Sequence, residues 1–101
     1  MVVPSNVKLV KFPKMDEVDS ALFEGTLERF FKKIGEGSRL ELSLKQYAKG
    51  GLRVQHELRA KISLNGSIFY AEREGWLLLE VIQETLKVLE REVKKKDSFK
   101  K

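Results

Sequence analysis

Apolar residues near the C-terminal end of the chain repeat with the period of an α-helix. Over residues 76–96 they recur at alternating steps of three and four, which is the spacing of one helix face: Leu79, Ile82, Leu86, Leu89 and Val93. Basic residues repeat on nearly the opposite side, at Lys87, Arg91, Lys94 and Lys95. The pattern predicts a helix with one face for a core and a basic face for solvent.

A second helical pattern lies in the first third of the chain. Asp16 stands where a helix N-cap belongs, and glycines at 35 and 37 supply the end. Gly25 lies inside this helix, where it costs about 1 kcal/mol relative to alanine, and a close approach to a sheet would explain it. The apolar positions of the pattern are Val18, Leu22 or Phe23, Leu27, Phe30, Phe31 and Ile34. Lys32 and Lys33 occupy the last turn.

Alternating apolar and polar residues predict four strands. Residues 7–12 form a short β-branched run that ends at Pro13, and residues 39–49 alternate strictly. Residues 53–64 alternate again after the Gly50-Gly51 turn, and Asn65-Gly66 predicts a tight hairpin to a last strand over residues 68–73.

The resulting order is β-α-β-β-β-α. Two helices with apolar stripes and a sheet with one apolar face predict an α+β two-layer sandwich, in which both helices cover one face of a four-stranded sheet. The last three strands are expected to be antiparallel because short turns connect them, and the polar face of the sheet should be open to water. We assign residues 1–96 to one domain and expect the basic tail, residues 97–101, to fray.

Composition narrows the class of partner. The chain has 101 residues, no cysteine, a net charge of +5 and a pI near 9.5. The absence of cysteine fits a reducing cytoplasm, and neither a membrane span nor a signal peptide is indicated. The excess of positive charge favours polyanions, with nucleic acid first and an acidic membrane surface second.

The sequence contains few residues in arrangements that suit catalysis or metal binding. His56 is the single histidine and alternates with core positions, so a structural role is favoured. Glu72 and Glu74 share a strand face, but solvated glutamates near a helix start rarely form a catalytic pair, because a general acid needs burial to raise its pKa. No nucleophile, phosphate-loop or dinucleotide motif is present. We therefore predict no enzyme activity, cofactor, metal or small-molecule substrate.

The basic residues have a plain structural interpretation and a functional one. Acidic residues early in the last helix and lysines in its last turn, including Lys96, complement a helix dipole. That interpretation explains less well why basic residues also crowd the end of the first helix and the outward sheet face. The basic residues on the outward sheet face are Arg39, Lys45, Lys49, Arg53, Arg59 and Lys61, whereas its acidic residues are only Glu41 and Glu57. Few aromatic residues alternate with them, which favours shape-led binding of structured RNA over single-strand stacking.

The chain resembles the ribosome hibernation-promoting factor family, also called ribosome-associated inhibitor or sigma-54 modulation proteins, in its short form. The resemblance is carried by the strand LRAKISL, the Asn65-Gly66 turn, the strand FYA that ends at Glu74-Gly75, and the helix that ends LEREVKKK. The element order extends the similarity over nearly the whole chain.

This resemblance implies a fold like that of a double-stranded-RNA-binding domain. It also implies docking on the small ribosomal subunit and its ribosomal RNA, over the messenger and transfer RNA channel, with inhibition of translation by occupancy. Basic residues of both helices would contact the RNA, namely Lys32, Lys33, Lys87, Arg91, Lys94 and Lys95. Lys96, Lys49 and Arg53 complete the predicted RNA-binding set, and we expect a monomer or weak dimer. Two alternatives stay open, a general structured-RNA binder and an assembly module that uses the open sheet face.

Overall fold

A computed structural model describes residues 3–35, 37–51 and 53–98, and only the backbone of residues 49, 97 and 98. The elements are β1 (Val7–Val10), α1 (Glu17–Ile34), β2 (Arg39–Lys49), β3 (Arg53–Leu64), β4 (Ser67–Gly75) and α2 (Leu78–Ser98). This order and the α+β class confirm the prediction from the sequence. The expected fraying of the tail stays a prediction, since α2 extends through Ser98 and residues 99–101 lie outside the described part.

The four strands form one mixed sheet in the order β1-β2-β3-β4. β1 is parallel to β2 because α1 carries the chain back between them, whereas the β2–β3 and β3–β4 pairs are antiparallel. Leu42 faces Ala60, which in turn faces Ala71, so apolar side chains from neighbouring strands share one face. The hairpin after β3 turns at Asn65-Gly66 as predicted, with both residues at positive φ.

Both helices cover that apolar face and lie side by side in the same direction. Met15 and Asp19 lie near Leu78 and Glu80 at one end, and the Lys33 ammonium lies 3.8 Å from the Glu90 carboxylate at the other. The fully buried side chains of the core come from both layers: Phe23, Leu27, Leu42, Leu58, Ile62, Ile82 and Leu89. The remaining face of the sheet is open.

The structure revises several local predictions in α1 and β1. Asp16 caps α1 through a 2.8 Å hydrogen bond from the Asp19 amide, as predicted. Phe23, not Leu22, belongs to the core, and Val18 is 68% exposed. β1 ends at Val10 because Lys11 takes a positive φ of 59° and turns the chain out of the sheet.

The glycine inside α1 is not there to admit the sheet. A Cβ built at Gly25 would meet only the Arg29 guanidinium, at 3.4 Å. The close approach occurs instead at Gly75, where an added Cβ would lie 3.0 Å from the Val81 side chain. This contact lies between the end of β4 and the first turn of α2, and α2 begins at Leu78 instead of Trp76.

Candidate nucleic-acid interface

The basic face of α2 is exposed along its second half. Lys87, Arg91, Lys94 and Lys95, which we call the α2 ridge, all lie on the side away from the sheet. The opposite side of the helix is buried through Ile82, Leu86, Leu89 and Val93. Within the described residues, only Lys94 of the ridge forms an ion pair, with its ammonium 3.1 Å from the Glu90 carboxylate. Among the described residues, no carboxylate forms an ion pair with Lys87, Arg91 or Lys95.

The first helix places more cations beside the ridge. A shallow groove of about 260 Å³ separates the two helices, and its polar rim consists of Thr26, Arg29, Lys33, Gln83, Lys87 and Glu90. Lys32 is also exposed, but its ammonium lies 3.5 Å from the Glu28 carboxylate one turn earlier. Since the helices run in the same direction, Lys33 in the last turn of α1 lies next to the second half of α2. Lys32 lies on another side of α1, toward Ser5 and Asn6. The two helices thus form one basic surface.

Glu90 lies at the centre of this surface. Its side chain is only 16% exposed, and its carboxylate is within 3.8 Å of Lys33 and 3.1 Å of Lys94. The carboxylate joins α1 to α2, and its single negative charge offsets one of the two positive charges beside it. The pair with Lys94 follows from the spacing of four residues within one helix, but the pair with Lys33 needs the tertiary structure.

Arg29 is a member of the basic surface that the sequence prediction omitted. It lines the inter-helix groove, and its guanidinium donates to the Thr26 hydroxyl at 3.4 Å. The signal was available, because Arg29 precedes Lys32 and Lys33 by three and four residues and so shares their side of the helix.

Lys96 and Arg53, both in the predicted RNA-binding set, do not join the basic surface. The Lys96 ammonium turns to the sheet, where it contacts the Ser67 hydroxyl and lies 5.6 Å from the centre of the Phe69 ring. Arg53 lies on the β2–β3 hairpin, with its guanidinium carbon 4.3 Å from the centre of the Trp76 ring. The side chain of Lys49 lies outside the described residues.

The open sheet face is less basic than the sequence suggested. β4 adds Glu72 and Glu74 to the same face, because they pair in register with Arg59 and Glu57. The Arg59 guanidinium lies 3.3 Å from the Glu72 carboxylate and 4.0 Å from that of Glu57. The sheet therefore offers a mixed surface, and the helical layer carries the stronger positive charge.

The histidine belongs to the hairpin, not to the basic surface. The Gln46 amide nitrogen lies 3.2 Å from His56 Nδ1, across the β2–β3 pair. Since an amide nitrogen donates, this contact fits a neutral imidazole that carries its proton on Nε2 and accepts at Nδ1. Partial burial lowers the pKa of His56 below its usual value. Among the described residues there is no group of three or more His, Cys, Asp or Glu side chains placed to hold a metal ion.

Comparison with solved structures identifies the fold. The crystal structure of the N-terminal domain of Protein Y from Thermus thermophilus superposes with a TM-score of 0.58. The match covers 88% of this chain and 93% of that domain, at 17% sequence identity. No protein-family model matches the sequence, and no curated protein sequence matches it significantly. At this identity the likeness shows a shared fold. Over the described residues, neither helix has the length and apolar character needed to cross a membrane.

Proposed function

We propose that this protein is a ribosome-binding hibernation factor without enzymatic activity. It docks through the basic surface of its two helices onto ribosomal RNA of the small subunit and occludes the messenger and transfer RNA channel. The observation that carries the proposal is the α2 ridge, where Lys87, Arg91 and Lys95 are exposed and form no ion pair within the described residues. Charges left unneutralised in this way are suited to phosphates.

Two further observations support the proposal. Arg29 and Lys33 of α1 extend the ridge across the inter-helix groove, which gives a surface wide enough to follow a structured RNA. The fold shared with the Protein Y domain is the one that the sequence resemblance to hibernation factors implies. Such a factor works in the cytoplasm, where ribosomes are, and acts by occupancy alone.

A general structured-RNA binder is the second candidate, because the same ridge would bind phosphates of any folded RNA. The two functions differ in selectivity. A hibernation factor prefers ribosomes over an arbitrary RNA duplex of equal phosphate content, and a general binder does not. Competition between purified ribosomes and such a duplex separates them.

Sucrose-gradient sedimentation with ribosomes at low and moderate salt tests the proposal directly. The protein should sediment with the small subunit, and its recovery there should fall as salt rises. Replacing Lys87, Arg91 and Lys95 together by alanine should reduce the slope of log affinity against log salt by roughly 2 to 3, since each phosphate contact contributes about 0.7–0.9.

The matched control removes three cations from the open sheet face, at Arg39, Lys45 and Lys61. Their loss changes the net charge by the same amount but should leave most of the slope in place. Free protein at the top of every gradient would refute ribosome binding. Equal loss of slope in the two triple variants would show that net charge, and not the ridge, drives the association.

A further inference from the structure

The β2–β3 hairpin extends beyond the rest of the sheet as a two-stranded arm. β1 reaches only as far as Ser43 along β2, and β4 pairs with β3 only from His56 onward. Residues 47–49 and 53–55 therefore pair with each other alone. We call residues 46–56 the arm. An isolated two-stranded ribbon is marginally stable in water, so its support and its use both need an explanation.

The charged residues of the arm are both basic, Lys49 and Arg53. No acidic residue stands in the sequence between Glu41 and Glu57. This contrasts with the middle of the sheet, where the Arg59 guanidinium lies beside the carboxylates of Glu57 and Glu72. A projecting element whose charged residues are all positive is complementary to a polyanion.

An aromatic side chain stands at the base of the arm. Trp76 directly follows the last residue of β4 and stands two residues before the first residue of α2, and it is not part of the core. Trp76 is 45% exposed, and the Arg53 guanidinium carbon lies 4.3 Å from the centre of its ring. The guanidinium lies over the ring, so this exposed indole offers a flat apolar surface with a positive charge against it.

We propose that Trp76 and Arg53 bind an unpaired nucleobase of the RNA that the helical surface holds. The base stacks on the indole, and the guanidinium and the basic arm neutralise the neighbouring phosphates. Proteins that hold single-stranded nucleic acid combine these same two parts, an aromatic platform and a basic track along the backbone. The inference rests on the proposed function. It adds a single-strand contact that the scarcity of aromatic residues in the sequence had argued against.

Trp76 is the only tryptophan of the chain, so its intrinsic fluorescence reports on this contact directly. We expect a single-stranded oligoadenylate of roughly ten nucleotides, within the usual site size, to quench the fluorescence at saturation. A blunt RNA duplex of the same length should bind the helices but leave the fluorescence unchanged, because its bases are not available for stacking. A labelled copy of each RNA gives its affinity independently by anisotropy.

Substitution separates a binding role from a structural one. Trp76→Leu should weaken binding of the oligoadenylate by about 5- to 150-fold, the range for loss of one stacked base, with little effect on the duplex. Trp76→Phe should retain most of the affinity, since a phenyl ring still stacks. Tyr70→Leu is the matched control, because Tyr70 is 67% exposed on the open face of the same sheet. If Trp76 only supports the arm, Trp76→Leu will lower the melting temperature and leave the affinity unchanged.

The outcomes distinguish this inference from the function on which it rests. Ribosome binding with unchanged Trp76 fluorescence, and with wild-type affinity in Trp76→Leu, would overturn the stacking contact and leave the hibernation function standing. Quenching by the oligoadenylate that Arg53→Ala weakens would support the pair as drawn. A wild-type protein that binds neither ribosomes nor either RNA would overturn both.

Discussion

Neutralising Glu90 should lower the stability of the protein and raise its affinity for RNA. Glu90→Gln keeps the shape of the side chain and removes its charge. In the folded protein the carboxylate joins Lys33 of α1 to Lys94 of α2, and it lies in the middle of the basic surface. The same charge therefore stabilises the helix pair and opposes a bound phosphate.

The stability loss follows from the geometry of the two contacts. Both lysines are 60% exposed, so each ion pair contributes about 0.2–1 kcal/mol to stability. The longer pair, with Lys33, contributes less than the pair with Lys94. A total near 1 kcal/mol lowers the melting temperature of a domain of this size by about 4–8 °C. The difference from the wild type should shrink at high salt, since exposed pairs are screened.

The gain in affinity follows from Coulomb's law. A phosphate bound by either lysine would lie about 6–7 Å from the Glu90 carboxylate, given these ion-pair distances and an ordinary charge-assisted hydrogen bond. One unit of repulsion at that distance in water is about 0.6 kcal/mol, which corresponds to roughly threefold tighter binding per phosphate at low salt after substitution.

Thermal melts and RNA binding by anisotropy, each at two salt concentrations, measure both effects. Glu84→Gln is the control, because it adds the same charge to α2 but removes no ion pair among the described residues. It should leave the melting temperature almost unchanged. A Glu90→Gln protein that is less stable yet binds RNA no more tightly would show that phosphates do not reach the surface between the helices.

Two further predictions concern stability. Gly25→Ala should stabilise the protein by about 0.5–1 kcal/mol in urea unfolding, since the added methyl meets only the mobile end of Arg29. Gly75→Ala should destabilise it, because Val81 must shift, and equal signs at the two sites would refute the packing described here. The lowered pKa of His56 means that the unfolded chain binds more protons, so stability should fall as pH drops from about 6.5 through the lower folded value. His56→Gln should lose this part of the pH dependence, and an unchanged profile would contradict it.

The layers of this fold could be predicted because each follows from a local rule. Strict alternation in β2 and β3 decides which side chains face the helices, and the steps of three and four in α2 decide which face it buries. The ambiguity between Leu22 and Phe23 shows where such rules end. Both positions keep helical spacing, and only the direction in which α1 lies across the sheet selects Phe23 for the core.

The candidate site was harder to predict because charge and exposure depend on partners that are distant in sequence. The sheet face looked basic until the β3–β4 register placed Glu72 beside Arg59. Lys96 follows Lys94 and Lys95 directly in the sequence, but each residue turns the helix by about 100°. Its ammonium therefore leaves the ridge and contacts Ser67 of β4. Trp76 continues the apolar run into α2, so the sequence assigned it to the helix. Its exposure and its contact with Arg53 arise because α2 starts two residues later and the arm extends past the end of β4. At the end of a helix or strand, a tertiary contact can override the position that the local pattern predicts for a side chain. Trp76 is such a residue, and the proposed base-stacking site lies there.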